Sequence, residues 1–297
     1  MQIAKNQELV EEVVDTLRSR GFKVGCVEYP TYERRSLDIV ARRSNEKFVM
    51  KVSFEIDSVG SKELSELAAL SKIFDAAGII VSKKTRKKKL KDYVVYERYN
   101  VPAMTPETLR EFIDSGEVYV YAGRGGYYVK VDGEKLRKKR EEREMSLGDL
   151  AQLLGVSRKA VYEYERRSMG LSFTTALRLI EIFGEDILIP INIRMIGAEK
   201  EKTLETQRLK AKFREIVLKL KKLGFLTAVT ERTPIDIAAR RNDKGKFAIT
   251  LKELNISQRA LEAKIEAAEV VSKTLDIRSL IIDDLKNIMK YLSDFYS

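Results

Sequence analysis

Two stretches near opposite ends of the chain decide the fold, because they repeat one pattern. Residues 36–55 read SLDIVARRSNEKFVMKVSFE, and residues 234–253 read PIDIAARRNDKGKFAITLKE. Asp38 corresponds to Asp236, and in each stretch a short apolar run ends in Ala-Arg-Arg before a second run begins. Short β-branched runs of this kind predict two consecutive strands in each copy. The sequence therefore predicts an internal duplication, which determines how the rest of the chain is divided.

Each copy has the same elements before and after these strands. An amphipathic helix that ends at a Gly precedes them, at residues 9–20 and 212–223, where the Gly supplies a left-handed cap. A second helix follows and leads to a buried apolar strand, at residues 78–81 and 280–282. Each copy is thus predicted to be an α/β domain with a mixed sheet.

The segment between the copies has a different character. Residues 117–131, EVYVYAGRGGYYVKV, alternate and contain a Gly-rich turn, which predicts a β-hairpin. Residues 132–183 are predicted to be helical throughout. We therefore predict an α/β plus all-α fold with three domains, at residues 1–120, 130–192 and 205–297.

The composition excludes several kinds of chemistry. The chain has 297 residues with 56 Lys plus Arg against 45 Asp plus Glu, and the resulting net charge of +11 suits a polyanionic partner. It has no His, which excludes Ser-His-Asp catalysis and imidazole metal sites, and its single Cys26 excludes an internal disulfide or a thiolate zinc site. Carboxylate and Lys chemistry with magnesium remains open. Without a signal peptide or a window of 18 apolar residues, we expect a cytoplasmic protein with no membrane contact.

The central helical segment carries the most specific motif. Residues 146–167 read SLGDLAQLLGVSRKAVYEYERR. Ser146 and Asp149 form a capping-box pattern, and Gly155 provides a tight turn between two helices. Val156 and Val161 are the apolar residues expected to lock the second helix against the first. This run resembles the helix-turn-helix of the phage repressor and Cro family, which implies a central domain of four or five helices.

The resemblance implies which residues meet DNA, because the second helix of such a motif enters the major groove. The residues expected to face bases are Ser157, Arg158, Lys159, Tyr162 and Glu163. The residues expected to contact phosphate are Arg143, Arg166 and Arg167. For Arg140 and Glu165 we favour a buried structural pair. Both signs of charge are mixed here, so the alternative is a helical domain that contacts only protein.

The two α/β copies resemble the restriction-endonuclease-like fold. Its active form needs an Asp on one strand, and an acidic residue followed two positions later by Lys on the next. The strand after Asp38 offers Lys51 and Ser53, and the strand after Asp236 offers Thr250 and Lys252, with no acidic residue two before either Lys. We therefore expect both domains to be degenerate, without catalytic residues, metal or cofactor.

One alternative to that expectation stays open. A magnesium-dependent nuclease or DNA-processing enzyme would need Glu28, Glu55 or Glu253 to supply the missing carboxylate. For Asp38 and Asp236 we favour a structural role, in which each caps or forms an ion pair with the Arg pair that follows it.

Two further segments allow two interpretations each. Residues 82–92, SKKTRKKKLKD, are either a solvated run or a non-specific phosphate contact. The Tyr residues of the hairpin, which we expect to pack or to form a subunit contact rather than to stack on bases, are Tyr119, Tyr121, Tyr127 and Tyr128.

Nearly the whole chain resembles an archaeal family of helix-turn-helix transcriptional regulators. The resemblance implies a sequence-specific regulator that binds double-stranded DNA. One motif reads only a few base pairs, so we expect a homodimer on a two-fold symmetric site. The alternatives are the nuclease and a protein-interaction scaffold.

Overall fold

The chain forms two compact units in the computed structural model, which describes residues 2–30, 34–166, 170–195, 211–242, 245–252 and 256–282. The first unit comprises Met1–Lys89, Arg98–Ala103 and Ile193–Ser297, and the second comprises Leu90–Glu97 and Met104–Asn192. Both sequence copies therefore belong to the first unit. The helix-turn-helix segment belongs to the second. The three-domain division at residues 1–120, 130–192 and 205–297 remains a prediction.

The described residues contain helices and strands whose bounds are as follows. The helices are α1 (Gln2–Arg18), α2 (Ser61–Phe74), α3 (Pro106–Ser115), α4 (Gly133–Glu142), α5 (Leu147–Leu154), α6 (Arg158–Arg166), α7 (Phe173–Phe183), α8 (Ala211–Lys222) and α9 (Gln258–Leu275). The strands are β1 (Lys23–Cys26), β2 (Ile39–Arg43), β3 (Glu46–Val52), β4 (Ala77–Val81), β5 (Val94–Arg98), β6 (Val101–Met104), β7 (Val120–Gly123), β8 (Gly126–Val131), β9 (Gly170–Ser172), β10 (Leu188–Ile189), β11 (Leu226–Val229), β12 (Ile237–Arg241), β13 (Gly245–Leu251) and β14 (Arg278–Ile282). None of the helices described is long and apolar enough to span a bilayer.

The two copies have the same strand order and orientation. In the first copy β1, β2 and β3 are antiparallel neighbours, and β4 lies parallel to β3. In the second copy β11, β12 and β13 are antiparallel, and β14 lies parallel to β13. The apolar pattern of β4 is explained by its burial, since all five of its residues are buried. The mixed sheet expected for each copy is confirmed, with β1 and β11 as additional edge strands.

The second helix of each copy packs on strands of both copies. Helix α2 packs on β3 and β4 of its own copy and also on β11 and β12 of the other copy. Helix α9 packs on β13 and β14 of its own copy and also on β1 and β2. A Cβ atom at Gly25 in β1 would lie 2.6 Å from Val270 Cγ1 of α9, so the close approach of this strand and helix requires Gly.

Basic side chains of each copy bind the carboxyl end of the other copy's helix. At the end of α2, Arg240 donates to the Lys72 carbonyl at 3.3 Å, and Lys246 donates to the Phe74 carbonyl at 3.0 Å. At the end of α9, Lys23 donates to the Lys273 carbonyl at 2.8 Å. The last carbonyls of a helix have no partner within it and carry partial negative charge, so these cations stabilise both ends. Each copy therefore stabilises the end of the other copy's helix.

A buried carboxylate ties the two copies together near the start of α2. Glu66 accepts hydrogen bonds from Ser36 Oγ at 2.8 Å and from the backbone N–H groups of Glu231 and Arg232, both at 3.1 Å. Burial raises the pKa of Glu66, and these three hydrogen bonds act in the opposite direction. The carboxylate thus links the segments that precede β2 and β12, which are equivalent in the two copies.

The second unit contains the hairpin and the helices of the central segment. Strands β7 and β8 form the expected hairpin, in which Gly123 pairs with Gly126, and Gly125 has φ +86°. Strand β5 lies parallel to β7, while β9 and β10 pair with β8. The expectation that residues 132–183 are wholly helical is wrong at β9, since Gly170–Ser172 extends to pair with β8 before α7 begins.

Candidate nucleic-acid interface

The turn between α5 and α6 has the geometry that its sequence predicts. Ser146 Oγ accepts from the Asp149 N–H at 3.1 Å, and Asp149 Oδ2 accepts from the Ser146 N–H at 2.8 Å. These reciprocal bonds form the expected capping box, and the hydrogen bonds with Ser146 lower the pKa of Asp149. Gly155 ends α5 with φ +67°, a left-handed conformation that favours Gly. Val161 of α6 is fully buried and fixes that helix on the core of the unit.

A buried ion pair joins α4 to α6. Arg140 Nε lies 2.6 Å from Glu165 Oε1, and Arg140 Nη2 lies 2.9 Å from Glu165 Oε2, so the pair is bidentate. The third nitrogen, Nη1, donates to the Met145 carbonyl at 2.7 Å. A Cβ atom at Gly133 would lie 2.5 Å from the Glu165 carbonyl oxygen, so α4 can approach the end of α6 only with Gly there. The structural role expected for Arg140 and Glu165 is confirmed.

Most of the residues expected to face bases lie on one accessible side of α6. Arg158 and Lys159 are exposed in its first turn, Tyr162 has 45% of its surface exposed, and Glu163 is partly buried. At 100° per residue these four side chains cover about 140° of the helix, away from Val161. Ser157 lies just outside the helix, where its Oγ accepts from the Ala160 N–H at 3.1 Å. Its hydroxyl therefore acts as an N-cap.

Two of the residues expected to contact phosphate are within the described part of the chain. The exposed Arg143 guanidinium lies 5.0 Å from the centre of the Phe183 ring, which orients it by a cation–π contact. Arg166 Nη1 donates to the Tyr162 hydroxyl at 3.0 Å. Arg166 therefore lies beside Tyr162, one of the residues expected to face bases. Arg167 lies outside the described residues.

Three of the four hairpin tyrosines form contacts within the second unit. The rings of Tyr121 and Tyr128 lie 5.9 Å apart, and the Tyr128 hydroxyl donates to the Arg124 carbonyl at 2.7 Å. Tyr119 donates to the Glu117 carboxylate, and this hydrogen bond raises the pKa of Tyr119 to about 12. These contacts favour packing over base stacking.

In the first copy, basic groups and a backbone N–H surround Asp38. Lys51 Nζ lies 2.9 Å from Asp38 Oδ2, and Arg35 Nε lies 3.4 Å from Oδ1. The Val52 N–H also donates to Oδ2, at 2.8 Å. Asp38 has only 6% of its surface exposed. Asp38 thus forms structural ion pairs, but with Arg35 and Lys51, while the Arg pair that follows it bonds to Asp276 and Glu46.

In the second copy, the same carboxylate receives its cation from a different element. Lys264 Nζ of α9 lies 2.8 Å from Asp236 Oδ2 and 2.9 Å from Oδ1. The Leu251 N–H donates to Oδ2 at 2.7 Å, as the Val52 N–H does in the first copy. The strand position of Lys51 is taken by Thr250, whose hydroxyl donates to the Pro234 carbonyl at 3.1 Å. Sequence reasoning missed Lys264 because only the packing of α9 brings it to Asp236.

These surroundings do not fit a divalent cation. A magnesium site needs several oxygen ligands, but Val49 and Thr250 stand two positions before Lys51 and Lys252, where the active form of this fold has its second carboxylate. The substitute acid Glu55 is paired with Lys84 at 3.3 Å and with Arg86 at 3.5 Å. Glu28 is exposed, and Glu253 lies outside the described residues. Within the ranges that the structure describes, no group of three or more His, Cys, Asp or Glu side chains could hold a metal ion.

Comparison with known families assigns two parts of the chain. A family model described as a PD-(D/E)XK superfamily domain matches residues 6–118, and one described as a helix-turn-helix matches residues 136–188. The chain therefore has an N-terminal PD-(D/E)XK-like domain, as expected for the first copy, and a helix-turn-helix domain. No solved structure gives a significant match.

Curated relatives match over almost the full length. One from Sulfurisphaera tokodaii is 32% identical over 94% of this chain and 91% of its own length. One from Methanothermobacter thermautotrophicus is 34% identical over 94% of this chain and 86% of its own length. One from Thermococcus gammatolerans is 32% identical over 91% of this chain and 82% of its own length. Each relative bears the name "Putative HTH-type transcriptional regulatory protein".

Proposed function

Since the chain belongs to this archaeal family of HTH-type transcriptional regulatory proteins, we propose that it is a sequence-specific regulator that binds double-stranded DNA. The observation that carries the proposal is the exposed first turn of α6, which projects Arg158 and Lys159. The bidentate pair of Arg140 with Glu165 and the burial of Val161 hold that helix in place, and the capping box at Ser146 begins helix α5, on which α6 packs. A reading helix needs this fixed placement, because base contacts depend on sub-ångström register.

Each residue of the interface has a proposed role. Arg158 or Lys159 donates to N7 and O6 of guanine, and Glu163 accepts from N4 of cytosine, with about 1–3 kcal/mol of discrimination per good pair. Ser157 and Tyr162 complete the base-facing set. The phosphate contacts, which fix the register without reading sequence, are assigned to Arg143, Arg166 and Arg167.

We propose that the chain acts in the cytoplasm as a homodimer on a two-fold symmetric site. One reading helix covers only a few base pairs, so dimerisation is the simplest source of sufficient specificity. Leu153 of α5, and Phe173 and Leu177 of α7, expose 53%, 42% and 45% of their surfaces. Helices α5 and α7 pack together, and their exposed apolar side chains suit burial against a second copy.

We further propose that both α/β copies are degenerate endonuclease-like domains without catalysis. The supporting observation is that Val49 and Thr250 stand where the active form of this fold has its second carboxylate, so the strand after each Asp offers a metal ion no further acidic ligand there. In the second copy, Lys264 of α9 also pairs with both carboxylate oxygens of Asp236. In this interpretation the three proposed domains are 1–120, 130–192 and 205–297.

The test is a selection of binding sites from random duplexes, followed by footprinting on the selected sequence. Changing Arg158→Ala together with Lys159→Ala should abolish sequence-specific protection. The matched control, Arg137→Ala with Lys138→Ala, removes two exposed cations of α4 that pair with Glu residues four positions on. If the α6 variant still protects the selected site as the parent chain does, α6 is not the reading helix.

A second candidate function is a magnesium-dependent nuclease. It is favoured by the PD-(D/E)XK match over residues 6–118. It requires magnesium-dependent cleavage of duplex DNA that disappears in Asp38→Asn or Asp236→Asn. We expect no cleavage by the parent chain, and its appearance would favour this second function.

A further inference from the structure

A short loop after β4 has an ordered backbone although it is rich in Lys. We call residues Thr85–Lys89 the basic turn. The Thr85 N–H donates to the Lys88 carbonyl at 2.8 Å. Thr85 Oγ1 accepts from the N–H groups of Lys87 and Lys88 at 3.2 and 3.0 Å. A hydroxyl placed in this way holds a turn closed, so the basic turn has a defined conformation.

The basic turn is also anchored to the segment after β3. The Arg86 N–H donates to Asp57 Oδ2 at 2.8 Å, and the Ile56 N–H donates to the Lys84 carbonyl at 2.9 Å. Lys84 forms backbone bridges with Glu55 on one side and with Lys89 on the other. The loop thus continues the pairing of β3 with β4 beyond the ends of these strands.

The acidic groups around the basic turn are engaged by cations other than its three consecutive lysines. Glu55 pairs with Lys84 and Arg86, Asp57 pairs with Arg98 at 3.2 Å, and Glu12 pairs with Lys83 at 2.7 Å. The three residues after Arg86, namely Lys87, Lys88 and Lys89, are exposed. Their ammonium groups make no hydrogen bond or ion pair with any residue that the structure describes. Three positive charges therefore project uncompensated from one ordered turn.

The fold itself does not require these lysines. The second copy has the same strand order up to β14, and its sequence then continues Asp283-Asp284-Leu285 where the first copy has its basic run. A parallel strand in this position can thus be followed by acidic residues. The charge of the basic turn calls for an explanation other than folding.

We propose that Lys87, Lys88 and Lys89 form a phosphate-binding surface for the backbone of duplex DNA, separate from α6. A row of ammonium groups matches a polyanion, since duplex DNA carries one charge per about 1.7 Å of its axis. A turn that is already ordered loses less entropy on binding than a mobile tail. No base is read here, so the contact is independent of sequence. The inference rests on the proposed function only in taking duplex DNA as the partner.

The experiment measures binding of the full chain to a labelled duplex of random sequence by fluorescence anisotropy between 50 and 200 mM salt. In Lys87→Gln with Lys88→Gln and Lys89→Gln, the log–log slope should become shallower by roughly 2.7, at about 0.9 for each phosphate that a lysine no longer neutralises. The matched control is Lys219→Gln with Lys222→Gln and Lys273→Gln, which removes the same charge from helices α8 and α9. A shallower slope in the first variant alone supports the proposal, and equal slopes in the two variants overturn it. Thermal melting by circular dichroism confirms that both variants fold.

The same assay separates this inference from the proposed function. The pair Arg158→Ala and Lys159→Ala should lose preference for a selected site while keeping the slope contributed by the basic turn. If the α6 double variant binds DNA as the parent chain does and the triple lysine variant still has a shallower slope, the proposed function is refuted and the phosphate-binding role of the basic turn is supported. If the triple lysine variant has the slope of the parent chain while the α6 double variant loses specificity, only the role of the basic turn is refuted.

Discussion

Replacing Lys51 with Met should destabilise the first unit strongly. The change removes the ammonium group that lies 2.9 Å from Asp38 Oδ2, and both side chains are almost completely buried. Removing one partner of a buried ion pair costs about 3–5 kcal/mol, because the remaining charge stays out of water. Arg35, which is one-third exposed, remains 3.4 Å from the same carboxylate and should recover about 1 kcal/mol of that loss. We therefore expect a loss of about 2–4 kcal/mol.

A double-mutant cycle with Asp38→Asn tests the origin of that cost. Asn keeps an oxygen that can accept from the Val52 N–H. The double variant therefore removes both charges and still provides an acceptor for that N–H group. It should be less destabilised than the sum of the single variants, by about 2 kcal/mol. Free energies of unfolding come from urea titrations, and hydrogen exchange of peptides from β2 and β3 localises the effect. Single-variant losses that add within about 0.5 kcal/mol would refute the coupling.

Three other outcomes follow from single contacts. Gly133→Ala should destabilise the second unit by about 1–3 kcal/mol in calorimetry, since its Cβ would lie 2.5 Å from the Glu165 carbonyl oxygen, and an unchanged melting temperature would contradict that contact. Arg140→Met should cost about 2–4 kcal/mol because it leaves Glu165 buried without its bidentate partner, and Arg140→Lys should recover only part of the loss in urea titration. Glu117→Gln should lower the pKa of Tyr119 from about 12 toward about 10, because the carboxylate that favours the neutral hydroxyl is gone; ultraviolet titration measures this, and an unchanged pKa would contradict it.

The elements that sequence predicts well are those determined by local pattern. The hairpin follows from its alternation and Gly-rich turn, and the repressor-type turn follows from Ser146, Asp149 and Gly155. The strand pairs at residues 39–52 and 237–251 follow from their apolar runs. In all of these the residues that determine the structure lie within a few positions of one another.

The contacts between the two copies could not be predicted in the same way. It depends on contacts such as that of Lys23 with the Lys273 carbonyl, across 250 positions of the chain. The amphipathic pattern of α9 indicates that one side is buried but does not identify the surface that buries it. Strand β9 was missed for a related reason, because a three-residue segment gains its extended form from its partner β8.

The surroundings of Asp38 and Asp236 show why a sequence motif identifies only some of the residues around a buried carboxylate. The sequence of the first copy places Lys51 on the strand after Asp38, whereas that of the second places Thr250 at the equivalent position after Asp236. The two copies therefore differ in sequence at this position. In three dimensions they converge, because α9 supplies Lys264 to Asp236, and a backbone N–H donates to Oδ2 in both. A buried carboxylate needs a compensating charge, and in both copies a Lys side chain supplies it, although the two lysines come from different elements. Two different lysines meeting the same requirement is the pattern expected if the carboxylates are kept for structure, and it supports the proposal of DNA binding without catalysis for this chain.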